Sequence, residues 1–146
     1  MKNILVIGST GQIGSELTRE LRKRYGNDHV VAGYIKGAEP TGELLEAGPA
    51  EEADVTKAEM IATVVKKYHI DAIYNLAALL SVVAENKPNL AWKIGIDGLW
   101  NILEVARQSH CPVFTPRPIG APGASAPHRM TPRGTSPPSP TSQGAR

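Results

Sequence analysis

Cysteine, aromatic residues and long apolar runs are all scarce in this sequence of 146 residues. The single cysteine, Cys111, excludes a disulfide within the chain, and we expect it to be a small buried apolar residue. Aromatic residues make up 5% of the sequence, so the core must be mainly aliphatic. No apolar run approaches the roughly 18 residues of a membrane span, and none near the N-terminus suits a signal peptide. We therefore expect a cytoplasmic protein without a membrane partner.

The sequence also lacks a large excess of charge of one sign and any histidine spacing typical of metal ligands. The net charge is +2, but all 14 acidic residues precede residue 116, whereas four of the 16 basic residues follow it. The mildly acidic body gives no electrostatic basis for binding nucleic acid. The four histidines have no metal-ligand spacing, so we expect no metal site and assign them structural or surface roles.

Residues 116–146 differ in composition from the rest of the chain. Eight of the 12 prolines lie there, and Ile119 and Met130 are the only sizeable apolar side chains. Such a segment cannot bury enough surface to offset the entropy of ordering it. We predict a domain over residues 1–115 and a disordered tail over 116–146. A proline-rich ligand for SH3-like domains is the functional alternative for the tail, and we favour a segment without a dedicated function.

Residues 1–115 alternate between strand and helix patterns. Strands are predicted at 2–7, 29–35, 51–55, 72–76 and 112–115, and helices at 12–25, 57–69 and 89–109. Alternation of this kind is typical of an α/β fold in which a parallel sheet carries helices on both faces. The sequence predicts a Rossmann-type sheet of about five strands, with the C-terminal part of the fold missing.

A glycine-rich turn joins the first strand to the first helix. Gly8 permits a tight turn, Gly11 lets the backbone approach a pyrophosphate, and Gly14 lets the helix pack closely. The helix N-terminus then offers free N–H groups and a positive dipole end to phosphates. The turn therefore predicts a dinucleotide site that also includes Thr10, Gln12 and Ile13. A purely structural glycine turn is the alternative.

The Gly-x-x-Gly-x-x-Gly spacing resembles the extended short-chain dehydrogenase/reductase family of sugar-nucleotide epimerases, dehydratases and related dehydrogenases. The resemblance implies that Asp54 binds the adenine amine, that Val55 packs on the adenine ring, and that the segment Leu76, Ala77 and Ala78 lies beside the cofactor ribose and phosphate. The alternative for Asp54 is a helix N-cap, a role for which Thr56 competes.

The acid that binds the adenosine ribose in many dinucleotide sites is absent. It is expected about 20 residues after the glycine turn, where this chain has Tyr34 and the resembled family has Asp. Lys36 could face a ribose phosphate, which leaves NADP open beside NAD. We favour the view that Lys36 is a solvated charge and that the cofactor is NAD.

Several motifs narrow the resemblance to NAD-dependent L-threonine 3-dehydrogenases of the short-chain type. They are the segments at 75–81, 85–88, 91–94, 97–101, 113–116 and 119–121. The resemblance implies hydride transfer from the threonine β-carbon to NAD⁺, which gives 2-amino-3-ketobutyrate in threonine catabolism. It also implies a homodimer, although the catalytic helix that helps to form the dimer in that family is missing here. It places Ser81 near the substrate, but Ser81 is equally typical of a helix cap or a loop hydroxyl.

Three departures from that family indicate a catalytically incomplete chain. Gly95 replaces an Asn of the proton relay, and Arg117 and Pro118 replace two serines. No tyrosine is followed four residues later by a lysine, so the usual general base is absent and no catalytic residue is assigned. We hypothesise truncation or a frameshift after about residue 116, with marginal stability. The alternative functions are a sugar-nucleotide epimerase or dehydratase and a non-enzymatic dinucleotide-binding fragment.

Overall fold

The computed structural model describes residues 2–78 and 85–116, which form a parallel five-stranded sheet in the order β3-β2-β1-β4-β5. The strands are β1 (Ile4–Ile7), β2 (Val30–Tyr34), β3 (Ala50–Glu52), β4 (Ala72–Asn75) and β5 (Val113–Phe114). β1 pairs with β2 on one side and with β4 on the other. The predicted Rossmann-type α/β class is confirmed.

Five α-helices accompany the sheet in the described residues: α1 (Gln12–Tyr25), α2 (Glu43–Glu46), α3 (Ala58–Lys67), α4 (Pro88–Trp92) and α5 (Gly98–Gln108). A π-helical turn, Lys93–Asp97, joins α4 to α5, so the helix predicted at 89–109 is interrupted. The short helix α2 was not predicted. No helix in these two ranges is long and apolar enough to cross a membrane.

The core lies on both faces of the sheet, and this explains why β1 is an uninterrupted apolar run. All four β1 residues are at most 1% exposed because β1 is central and covered on both sides. Leu5 and Ile7 pack on the face that carries α3 and α5, where Cys111 is also buried, as predicted. Ile4 and Val6 pack on the opposite face with Leu21 of α1.

A buried arginine, Arg22, connects α1 to the chain segments around β2 and β3. Its guanidinium donates hydrogen bonds to the carbonyl oxygens of Val30 (3.3 Å), Leu44 (2.7 Å) and Pro49 (2.9 Å). Burial lowers the pKa of Arg22, although nearby Glu43 favours the charged form. One side chain therefore satisfies three carbonyl groups and fixes the position of α2.

Large apolar side chains remain exposed on α4, α5 and β5. Trp100 is 70% exposed, Trp92 54%, Phe114 56% and Leu103 46%. Phe114 also packs against Tyr74, with ring centroids 5.4 Å apart. Exposed apolar surface of this kind is typical of an interaction site or an aggregation-prone region.

We expect the purified protein to self-associate through Trp92 and Trp100 at micromolar concentration. Replacing both with lysine removes apolar surface and adds repulsion, so the monomer fraction in sedimentation velocity should rise several-fold. Gln108→Lys is the control, because it adds a charge to the exposed end of α5 without removing an aromatic ring. A wild-type protein that stays monomeric at every concentration tested would contradict this expectation.

Candidate dinucleotide site

The carboxyl ends of the strands form the edge of the sheet where a site is expected. The chain passes from β1 to β2 and β3 on one side, then crosses to β4 and β5 on the other. A crevice opens where the strand order reverses in this way, and ligands of open α/β sheets bind there. Gly8 after β1 and Leu76 after β4 flank this point.

Gly8 is required by both its conformation and its surroundings. Its φ is +79°, in the left-handed region that favours glycine. A Cβ atom at Gly8 would also lie 2.9 Å from the Leu76 carbonyl carbon and oxygen and 3.1 Å from the Ala77 nitrogen. The β1 and β4 loops therefore approach each other too closely for any side chain at this position.

Gly14 is required for a related reason. A Cβ at Gly14 would overlap the carbonyl oxygen of Gly8 and lie 2.9 Å from Ser9 Cα. The close approach that this glycine allows is between α1 and the turn itself, a more specific contact than the helix–sheet packing predicted from the sequence. The first turn of α1 is thereby held directly against the glycine turn.

Gly11 differs from the other two glycines. Its φ of −72° is available to any residue, and a Cβ there would meet only the Gly8 carbonyl oxygen, at 3.4 Å. Gly11 is exposed, so a side chain would project into open space above the turn. The fold alone does not require glycine at position 11.

The N-terminus of α1 is suited to binding an anion. Gly11 is its N-cap and provides no side-chain hydrogen bond, and the first turn contains no acidic residue. Unpartnered N–H groups and the positive end of the helix dipole attract a phosphate. Of the other predicted contacts, Thr10 is half-buried, whereas Gln12 and Ile13 are exposed.

Ser9 fastens the glycine turn to β2. The carbonyl oxygen of Gly33 accepts hydrogen bonds from the Gly8 N–H (3.1 Å), the Ser9 N–H (3.1 Å) and the Ser9 hydroxyl (2.9 Å). The Ser9 side chain is fully buried. Sequence reasoning did not single out Ser9, because a serine in a glycine turn gives no sign of a long-range partner.

A compact turn over residues 35–38 follows β2 and contains Lys36, and Glu39 comes directly after it. The Ala38 N–H donates to the Ile35 carbonyl (2.9 Å), and Gly37 has a φ of +89°. The Gly37 N–H donates to Glu39 Oε1 (2.9 Å) and, with the Glu39 backbone N–H, lowers the pKa of that carboxyl. Lys36 is exposed.

Asp54 does not cap a helix, contrary to the alternative interpretation from the sequence. α3 has its N-cap at Lys57, which makes no side-chain cap bond. Asp54 Oδ1 instead accepts hydrogen bonds from the Thr56 N–H (2.9 Å) and the Thr56 hydroxyl (2.7 Å), so Thr56 does not cap α3 either. Because β3 ends at Glu52, Asp54 lies beyond the strand that was predicted to contain it.

Val55 is buried, with 4% of its surface exposed. A Cβ at Gly98 would lie 2.6 Å from Val55 Cγ2, so α5 packs directly on this side chain. The Asn101 side-chain amide donates to the Val55 carbonyl (2.9 Å). The structure thus places the Val55 side chain in the core beside α5 and leaves the half-buried Asp54 as the more accessible neighbour.

The segment after β4 forms the other side of the crevice. The Leu76 N–H donates to the Ile7 carbonyl (2.9 Å), and the Ala77 N–H donates to Asn75 Oδ1 (3.2 Å). Leu76 and Ala77 are half-buried and Ala78 is exposed, so small or backbone groups line this side. Ser81 and the tail from residue 117 onward, including Arg117 and Pro118, lie outside the described residues.

These features fit the pyrophosphate of a dinucleotide. The turn lacks side chains where Gly8, Gly11 and Gly14 stand, and the α1 N-terminus has no competing carboxylate in its first turn. Phosphate groups bind such turns through backbone N–H groups. Within residues 2–78 and 85–116, no group of three or more His, Cys, Asp or Glu side chains could hold a metal ion.

Sequence comparison gives one family. The profile described as "NAD dependent epimerase/dehydratase family" matches residues 4–116. Among curated proteins, an uncharacterized epimerase/dehydratase of Staphylococcus saprophyticus is 44% identical over 135 residues, which is 92% of this chain and 42% of the relative. The chain therefore spans less than half the length of the curated relatives that it matches.

The solved structures to which this chain is similar include L-threonine dehydrogenases. The chain is similar to the L-threonine dehydrogenase of Clostridium difficile, with a TM-score of 0.87, 44% identity, and coverage of 99% of this chain and 45% of that chain. It is also similar to the holo form of the L-threonine dehydrogenase of Cupriavidus necator, with a TM-score of 0.87, 38% identity, and coverage of 97% and 45%.

Proposed function

The chain belongs to the NAD dependent epimerase/dehydratase family, and from that premise we propose that its glycine turn holds the pyrophosphate of a nicotinamide dinucleotide. The contrast among the three glycines carries this proposal. The fold requires glycine at positions 8 and 14, whereas Gly11 leaves open space that the fold does not use. A phosphate bound at the α1 N-terminus would occupy that space.

For the full-length enzyme to which this chain corresponds, we propose oxidation of L-threonine to 2-amino-3-ketobutyrate, linked to reduction of a nicotinamide dinucleotide. The similarity to two L-threonine dehydrogenases supports this substrate, as do the sequence motifs between residues 75 and 116. A bound dinucleotide would supply the acceptor for a hydride from the substrate carbon. The residues of this chain that serve the reaction are those that bind and orient the cofactor, with Ser81 as the candidate contact to the substrate.

We further propose that these 146 residues bind the cofactor without oxidising threonine. Hydride loss from a secondary alcohol requires removal of the hydroxyl proton by a positioned base. Four residues after Tyr25, Tyr34, Tyr68 and Tyr74 stand His29, Ala38, Ala72 and Ala78, so no tyrosine has the lysine partner that stabilises a phenolate.

The experiment is a fluorescence titration of the protein with NADH, followed by an assay for threonine-dependent NADH formation. We expect saturable binding in the first and no turnover in the second, with the full-length Clostridium difficile enzyme as the positive control for turnover. Absence of dinucleotide binding would contradict the proposed site. Threonine-dependent turnover would contradict the proposed lack of a base.

A sugar-nucleotide epimerase or dehydratase is the second candidate, because the curated relatives are described as epimerase/dehydratases. A UDP-sugar that enhances dinucleotide binding, when threonine does not, would favour this candidate. Dinucleotide binding that neither compound alters would favour a binding function without catalysis.

A further inference from the structure

The residues that follow β2 stand where a dinucleotide site recognises the adenosine ribose. In such sites an acid at the end of this strand binds the ribose hydroxyls, and a cation there accommodates a 2′-phosphate instead. This chain has Tyr34 at the end of β2 and Lys36 two residues later. The usual acid is therefore replaced by a phenol and followed by a cation.

The backbone around Tyr34 is fixed beside the glycine turn. The preceding residue, Gly33, accepts three hydrogen bonds from Gly8 and Ser9, and the Tyr34 carbonyl accepts one from the Ala53 N–H at 2.7 Å. A Cβ at Gly33 would lie 3.0 Å from the Val6 carbonyl oxygen, so this strand end is also closely packed. The end of β2 cannot move away from the ribose position without breaking these contacts.

The nearest following acid is already engaged. Glu39 accepts the Gly37 N–H, and the turn over residues 35–38 separates Glu39 from the strand. Lys36 forms no ion pair within 4.0 Å in the part of the chain that the structure describes. The first ionic group after β2 is thus a cation that no neighbouring carboxylate neutralises.

We propose that Tyr34 and Lys36 form a subsite for a phosphate monoester on the adenosine ribose, so that the chain binds NADP more tightly than NAD. This proposal replaces the preference for NAD, and for Lys36 as a solvated charge, that was drawn from the sequence alone. This inference rests on the proposed placement of the pyrophosphate on the glycine turn. The 2′-phosphate gains a cation at Lys36 and a hydroxyl donor at Tyr34. The unphosphorylated ribose gains neither the bidentate carboxylate nor the charge, so NAD binds less tightly.

The test compares dissociation constants for NADH and NADPH by fluorescence titration at low ionic strength. We expect NADPH to bind about 5-fold more tightly, with the advantage falling as salt is added, because an exposed charge pair is screened. Lys36→Gln should weaken NADPH binding about 5-fold and leave NADH unchanged. Lys66→Gln, at an exposed lysine of α3, should change neither constant.

Tyr34→Asp restores the usual acid and should reverse the preference by at least 10-fold through repulsion of the 2′-phosphate. Because Tyr34 is half-buried, Lys36→Glu provides the same reversal at an exposed position where folding is not at risk. Tighter binding of NADH than NADPH by the wild-type protein would overturn the inference while leaving the proposed function intact. Failure of both dinucleotides to bind would overturn the proposed function, and the inference with it.

Discussion

Gly14→Val is expected to abolish dinucleotide binding and to lower the free energy of unfolding by about 3 kcal/mol, the upper range for overpacking a close contact. The added Cβ would overlap the Gly8 carbonyl oxygen and press on Ser9, so α1 must tilt away from the turn. Urea unfolding followed by circular dichroism measures the loss of stability, and NADH titration measures the loss of binding.

Gly11→Ala separates the two effects at a neighbouring position. Its Cβ meets only one backbone oxygen, at 3.4 Å, and its φ suits alanine. Stability should fall by about 1 kcal/mol at most, the order of an N-cap change, whereas dinucleotide affinity should fall at least 10-fold. A Gly11→Ala protein that binds as well as the wild type would show that the open space is not the pyrophosphate site.

Arg22→Ala is expected to destabilise the fold strongly although Arg22 lies outside the site. It removes the three donors that bond the carbonyls of Val30, Leu44 and Pro49, of which Pro49 keeps its hydrogen bond from the Ala32 N–H at 2.9 Å. Loss of a buried, charged hydrogen-bonding group costs roughly 3 kcal/mol, so the midpoint of urea unfolding should fall by more than 1 M.

Arg24→Ala is the matched control for Arg22→Ala on the same helix. Arg24 is exposed and, among the residues that the structure describes, forms its ion pair with Glu20 alone, at 2.9 Å one turn earlier. Such surface pairs contribute little, so the urea midpoint should not change measurably. Equal effects of the two substitutions would show that Arg22 does not fasten α1 to α2 and the β2–β3 connection.

The elements predicted well from the sequence are those that rest on local signals. β1 reads as a buried strand because Ile4–Ile7 is continuously apolar, and α1 follows because its apolar residues recur at helical spacing. The glycine turn is recognisable because Gly8 comes directly after that strand. These signals sufficed for the fold class and for the location of the candidate site.

Of two features that were missed, one is a local turn and the other depends on contacts between distant segments. β3 was predicted at 51–55 because buried Ala53 and Val55 extend its apolar alternation, yet the strand ends at Glu52 and the Asp54–Thr56 hydrogen bonds turn the chain. The burial of Arg22 follows from carbonyls supplied by residues 8 to 27 positions later. The turn at Asp54 was missed because apolar alternation does not detect side-chain hydrogen bonds, whereas the burial of Arg22 is not encoded in any short sequence window.

Large apolar side chains are exposed on α4, α5 and β5 in a chain that matches less than half of its solved relatives. Trp100 and Phe114 are more than half exposed, and the chain spans about 45% of the solved L-threonine dehydrogenases that it matches. The association experiment on Trp92 and Trp100 tests whether this exposed apolar surface accompanies the marginal stability predicted from the sequence.

The most direct test of the central claim is an amide NMR titration of the ¹⁵N-labelled chain with NADH and NADPH. If the glycine turn holds the pyrophosphate, the largest shift changes will fall on Gly11, Gln12 and Ile13, with smaller ones after β2 and at Leu76 and Ala77. Shift changes that are absent from these amides, or that cluster on the α3 or α5 surface instead, would contradict the account.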